Sequence, residues 1–133
     1  MFMRNVMSRL ILPVLLFSCN AAFAQTKWVA PAAASAVKNP LAGNTAVLAD
    51  AKAVYKTTCA PCHGEKGKGD GPAAVALNPK PADHTSGAIQ SESDGSLFWK
   101  ITTGRGAMQA YKTQLTDKQR WALVGYIRTL KKK

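Results

Sequence analysis

Five consecutive residues, Cys59, Ala60, Pro61, Cys62 and His63, constrain this chain more than any other stretch. Two thiols separated by two residues and followed at once by an imidazole form the pattern C-x-x-C-H. In that pattern the sulfurs can add across the two vinyl groups of one haem while the histidine reaches its iron. The same residues have two other chemical readings. A redox dithiol asks for a neighbouring βαβ pattern, and the flanks here read as helical with little strand signal. A zinc site asks for further cysteine or histidine ligands at short spacing, and the only other histidine is the isolated His84.

The haem reading requires an export signal upstream and a sixth iron ligand downstream. Upstream, Arg4 and Arg9 precede the apolar run from Leu10 to Phe17, and Ala22, Phe23, Ala24 stand before Gln25. A basic n-region, a short h-region and an A-x-A site assign residues 1–24 to a secretory signal peptide cleaved after Ala24, and hence the chain to the periplasm. The apolar run is too short for a lasting membrane anchor. A secondary reading is a lipoprotein signal at Leu16, Phe17, Ser18, Cys19, although Phe17 is bulky for that motif. With the leader removed, Cys59 and Cys62 are the only cysteines, so the whole thiol content of an exported chain is committed to one motif.

The 133 residues, 47% of them hydrophobic, suit one small domain with accessory segments. Residues 25–43 are rich in Ala and Pro, lack a helical apolar stripe and read as a flexible or partly ordered linker, in which Trp28 is out of place. The domain proper spans 44–133 and is predicted to be all-α. A first helix capped by Asn44 or Thr45 runs to about Thr58, with Val47, Leu48, Ala51, Val54 and Tyr55 on one face. A second, capped by Ser93 or Asp94, ends at Gly104. The last is marked by a capping box of Thr116 with Gln119 and by Trp121, Val124, Ile127 and Leu130 at helical spacing. Gly125 is unfavourable in mid-helix unless another helix crosses closely, and the Asn44–Thr58 helix would account for it. About 90 residues make a marginal core, so the apoprotein is expected to fold poorly.

Between these helices lie the remaining candidates. The glycines from Gly64 to Gly71 let the backbone wrap a flat ligand closely. Trp99, with Leu97, Phe98 and Ile101, can wall the cofactor pocket, its indole N–H either reaching a propionate or simply packing. Met108 is the only methionine outside the leader. It lies between a glycine-rich turn and a polar segment, off helical core spacing, and is assigned as the sixth ligand; a thioether there raises the reduction potential. His84 sits in the polar loop Asp83–Gly87 and reads as a surface histidine, with distal ligation as the lesser alternative.

The motif at Cys59–His63, the pair Gly71 and Pro72, the glycine-containing segment ending in Met108, and the run from Leu115 to Arg128 together resemble a bacterial class I monohaem cytochrome c. The resemblance covers about residues 44–130, and it departs in Gln109, where family members often carry Pro. It implies N- and C-terminal helices crossing around one covalent haem c per chain, with His63 and Met108 as axial ligands. It also implies that the Pro72 carbonyl receives the His63 ring proton.

An iron held on both faces has no open coordination site, which disfavours substrate chemistry and suits a single-electron carrier between periplasmic or membrane redox enzymes. The formal net charge is +11. Lys66, Lys68, Lys80, Arg105 and Lys112 fall in segments expected around the haem, and a basic rim would steer docking to acidic partner surfaces. Nucleic-acid binding is disfavoured, since aromatic and basic residues are not interleaved. Two alternatives remain: a cytochrome subunit of a dehydrogenase or terminal oxidase complex, and a five-coordinate gas-binding haem protein.

Overall fold

The computed structural model describes residues 27–132. The assigned signal peptide and Cys19 therefore lie outside the described residues. Within them the chain is helical, and the one β-type pairing is an isolated bridge between Arg105 and Met108. The helices are α1 (Ala32–Ser35), α2 (Leu48–Thr58), α3 (Ala60–His63), α4 (Gly87–Gln90), α5 (Asp94–Thr103) and α6 (Asp117–Thr129), with 3₁₀ turns at Thr45–Val47 and Pro72–Ala76.

The 3₁₀ turn ahead of α2 and the helices α5 and α6 each start where a side chain satisfies an otherwise orphaned backbone N–H. The Asn44 side chain accepts from Ala46 N at 3.1 Å and opens the 3₁₀ turn that leads into α2. Ser93 caps α5 through Ser96 N at 3.1 Å. The expected capping box of α6 is complete, with Gln119 N donating to Thr116 Oγ1 and Thr116 N donating to Gln119 Oε1. Asp117 and Arg128 sit at the ends of α6 that the helix dipole favours.

The α2/α6 packing is the most extensive between any two helices of the fold. Tyr55, Leu123 and Val124 are fully buried in it, and the Tyr55 ring centroid lies 5.0 Å from that of Tyr126. Burying a Leu or Val side chain stabilises by roughly 1.5–3 kcal/mol, so this crossing anchors the domain. Helix α5 packs beside α6, with the Phe98 and Trp121 rings stacked at 3.9 Å and 12°. Arg128 locks the two together, donating Nε to Asp94 Oδ1 at 2.9 Å and its other nitrogens to the carbonyls of Ile89, Gln90 and Glu92.

The segment expected to be a linker is docked over residues 27–43, so the folded unit begins upstream of residue 44. Ser35 Oγ pairs with Ser96 Oγ at 2.8 Å, and α1 packs on α5. Asn39 is buried, donating Nδ2 to Trp121 O at 3.4 Å and accepting from Leu41 N at 2.9 Å. Trp28 lies 6.2 Å from Trp99, with Lys100 Nζ 5.5 Å from its ring. The strap lies close on α5 because that helix carries Gly95, where a Cβ would come within 2.1 Å of Ala34 O and 2.7 Å of Val37 O, and Asn39 Oδ1 satisfies the strap's own Leu41 N.

Candidate functional site

Helix α2 delivers the chain into the motif without a break. Cys59 N donates to Tyr55 O at 2.8 Å, and Cys62 N and His63 N both reach Cys59 O, at 3.2 and 2.9 Å. Cys59 and Cys62 therefore stand one helical turn apart on one side of the chain, and both are unpaired and partly buried. Burial, followed by the neighbouring Cys62, pushes the Cys59 thiol up to about 12. A thiol so far from ionisation is unlike the low-pKa thiolate of a redox dithiol. Among the described residues no group of three or more His, Cys, Asp or Glu is placed to hold a metal ion, so the further ligands of a zinc site are missing.

The glycine-rich loop closes over the end of this turn. Gly69 N donates to His63 O at 2.8 Å and Gly71 N to Cys62 O at 3.1 Å. A Cβ on Gly71 would come within 2.5 Å of the Ala60 carbonyl, so only glycine allows the backbone this near α3.

His63 is 9% exposed, and its Nδ1 lies 2.9 Å from Ala82 O. Since a carbonyl only accepts, Nδ1 carries the proton and Nε2 keeps its lone pair for a metal. Burial lowers the pKa of His63 while the Ala82 bond opposes it, and the ring stays in the neutral form that ligates. The acceptor is thus Ala82 and not Pro72. Pro72 opens the 3₁₀ turn to Ala76, and the chain beyond Pro81 returns to place Ala82 beside the imidazole.

His84 also departs from expectation. It is 8% exposed, its Nδ1 shares a 3.0 Å hydrogen bond with the Tyr55 hydroxyl, and its ring stacks on His63 at 4.1 Å and 18°. Two rings stacked face to face cannot approach one iron from opposite sides, so this geometry removes His84 as a distal ligand. Burial, reinforced by the neighbouring His63, lowers the pKa of His84 to about 3, and the ring is neutral. Its polar neighbours in sequence gave no sign of this, because the burial arises when the loop folds back onto Gly67 and α2.

Met108 sits in a tight reversal, with Arg105 N to Met108 O at 2.8 Å and Met108 N to Arg105 O at 3.0 Å. Gly104 makes the reversal feasible: its φ is +63°, and a Cβ there would lie 2.5 Å from Met108 O. The methionine is half-buried and packed on the core. Tyr111, just beyond, donates its hydroxyl to Thr58 O at 3.0 Å, which joins the Met108 loop to the residue preceding Cys59.

Trp99 makes a packing contact, the alternative the sequence left open beside a propionate bond. Its aromatic partner is Trp28 of the strap, and it lines a small apolar cavity of about 170 Å³ with Ala34, Val37 and Phe98. Arg120, a charged residue of a basic helix, is buried without any sign of it in the sequence pattern. It is 3% exposed, pairs with Asp117, lies over the Phe98 ring, and leaves Nε and Nη1 without partners. On the surface, Lys52, Lys56, Lys66, Lys68 and Lys132 line a groove of about 540 Å³ in which Glu65 is the one acid.

The donor set fits haem: two unpaired thiols one turn apart, an adjacent imidazole with Nδ1 engaged and Nε2 free, and a backbone pressed against the motif through glycine. Comparison with known proteins agrees with this fit. The family described as cytochrome c oxidase, cbb3-type, subunit III matches residues 46–127. Among solved structures, a chain of the reducing HAO-like protein complex Kustc0457/Kustc0458 of Kuenenia stuttgartiensis is 30% identical with a TM-score of 0.60, over 66% of this chain and 45% of that one. This chain thus spans less than half of that chain's length. The c-type cytochrome KustC0563 is 26% identical with a TM-score of 0.55, over 62% of this chain and 98% of its own.

Proposed function

Because the chain belongs to the cytochrome c oxidase, cbb3-type, subunit III family, we infer that it is a monohaem cytochrome c that carries single electrons between redox enzymes. Haem c, bound covalently, supplies the one-electron iron couple. In this reading the chain's own residues do four things. Cys59 and Cys62 form the thioether attachments. His63 presents Nε2 to the iron while Ala82 holds its Nδ1 proton. Met108 would hold the iron together with His63, from a loop that Tyr111 ties to Thr58. Helices α2 and α6 keep that frame rigid, so little reorganisation accompanies a change in oxidation state.

The observation that carries the reading is the geometry at His63: a buried, neutral imidazole with its second nitrogen engaged, directly after two unpaired thiols. Purified protein, denatured and separated from free haem, tests it. Retention of haem by the wild type and its loss from Cys59→Ser/Cys62→Ser support the covalent site.

The partners are redox enzymes that offer an acidic face, and the lysine groove beside α2 is the surface suited to them. It draws on Lys66 and Lys68, as the charge pattern suggested, together with Lys52, Lys56 and Lys132. Lys80, also exposed, instead donates its Nζ to the Ala74 carbonyl at 3.0 Å. A second reading, a cytochrome subunit of a larger redox complex, is favoured by the likeness to a chain of a reducing HAO-like complex. Co-purification of the native protein with a stoichiometric partner would select it. Among the described residues no helix is long and apolar enough to cross a membrane. Export with cleavage after Ala24 completes the proposal, and mass determination of the mature chain checks it.

A further inference from the structure

We propose that His84 is a positioning residue for the haem ligand His63: held by Tyr55, it stacks on the His63 imidazole and sets the plane in which that ring meets the iron. The proposal rests on the reading of His63 as an axial ligand.

A ligand imidazole tethered through its Nδ1 proton to one carbonyl is restrained at one edge only. Ala82 O provides that restraint for His63 at 2.9 Å and leaves the ring faces to their neighbours. The His84 ring covers one face, with centroids 4.1 Å apart and planes 18° from parallel. Any rotation of His63 about its bond to the metal would swing its edge into that neighbour.

His84 is itself held from several sides. Its backbone N donates to Gly67 O at 2.6 Å, and its carbonyl accepts from Gln90 Nε2 at 2.7 Å. Its Nδ1 is bonded to the Tyr55 hydroxyl at 3.0 Å, and the Tyr55 ring meets it edge-on at 5.8 Å. Tyr55 is fully buried between α2 and α6 and packs on Tyr126. An apolar residue could fill the same space, but it would be free to turn. A histidine bonded through Nδ1 is fixed in rotation, and the rigidity of the α2/α6 crossing passes through Tyr55 and His84 to the ligand.

The test uses oxidised holoprotein and the spectroscopic signatures of ligand orientation: the low-spin electron paramagnetic resonance signal and the hyperfine-shifted haem methyl resonances. His84→Ala should broaden the first and redistribute the second, while leaving the sulfur-to-iron band in place. His84→Phe keeps a flat ring against His63 but loses the bond to Tyr55, so it should recover only part of the wild-type pattern and come close to that of Tyr55→Phe. Tyr55→Phe should shift it in the same sense as His84→Ala. Methyl shifts of His84→Ala that superimpose on the wild type would overturn the proposal. Should that variant not mature, the reduced wild type decides: a nuclear Overhauser contact between the ring protons of His63 and His84 supports the stack, and its absence overturns it. A wild type without any low-spin haem signal would instead remove His63 as ligand, and the proposal with it.

Discussion

Tyr111 donates its phenolic hydrogen to the Thr58 carbonyl across 3.0 Å, joining the loop that carries Met108 to the last residue before Cys59. The ring is buried, so a carbonyl stripped of this donor has no ready replacement from water. Tyr111→Phe is expected to destabilise the holoprotein by about 1–2 kcal/mol, the range for a lost internal hydrogen bond. It should also weaken the sulfur-to-iron band by loosening the loop. Denaturant unfolding and the oxidised spectrum measure the two effects.

Gly125 tests how closely α2 and α6 approach. A Cβ built there meets Leu48 Cδ2 at 3.7 Å, an ordinary contact, so the crossing does not demand glycine as the sequence pattern suggested. Gly125→Ala should therefore stabilise the protein by up to about 1 kcal/mol through helix propensity alone. Gly125→Phe should destabilise it, since Leu48 stands in the way. Thermal unfolding of the two variants distinguishes these outcomes.

Asp83 provides a pH dependence with a defined sign. Its Oδ1 accepts from Thr85 Oγ1 at 2.6 Å and from Thr85 N at 2.8 Å, and these bonds hold the carboxyl below its ordinary value of 3.8. A carboxyl whose folded pKa is depressed contributes stability above its unfolded value, and that contribution is lost as pH falls through the lower, folded value. Asp83→Asn keeps an acceptor for Thr85 but cannot titrate. Its melting temperature should fall less steeply than the wild type's below about pH 4, where an unfolded aspartate begins to protonate.

The lysine groove predicts a kinetic phenotype. Lys52→Gln/Lys56→Gln/Lys132→Gln removes three of its cations without touching the motif. Association with an acidic redox partner should slow and its rate should depend less on salt, while the reduction potential stays unchanged. Stopped-flow electron transfer across a salt series reads both quantities.

The parts of this fold visible in the sequence are those that neighbouring residues determine. Asn44, Ser93 and the Thr116/Gln119 box announce helix starts because each cap bonds a backbone N–H two or three residues on. The motif itself is equally local. What the chain did not disclose depends on contacts between distant segments. His84 is buried because its loop returns to Gly67 and Tyr55, and Ala82 takes the His63 proton because the same return carries it past the imidazole. Trp28 and Asn39 lie in an alanine- and proline-rich stretch whose average composition says linker, while those two side chains bind it to α5 and α6. Arg120 looks like one more surface charge of a basic helix, and only the packing around Phe98 shows it buried.

The most direct test of the account is the visible spectrum of the exported, purified protein, oxidised and reduced, for the wild type and Met108→Ala. A low-spin spectrum of covalently bound haem with a far-red sulfur-to-iron band is expected in the oxidised wild type, with loss of that band in the variant. A wild type without the band would contradict ligation by Met108, and a protein without covalent haem would contradict the assignment of Cys59, Cys62 and His63.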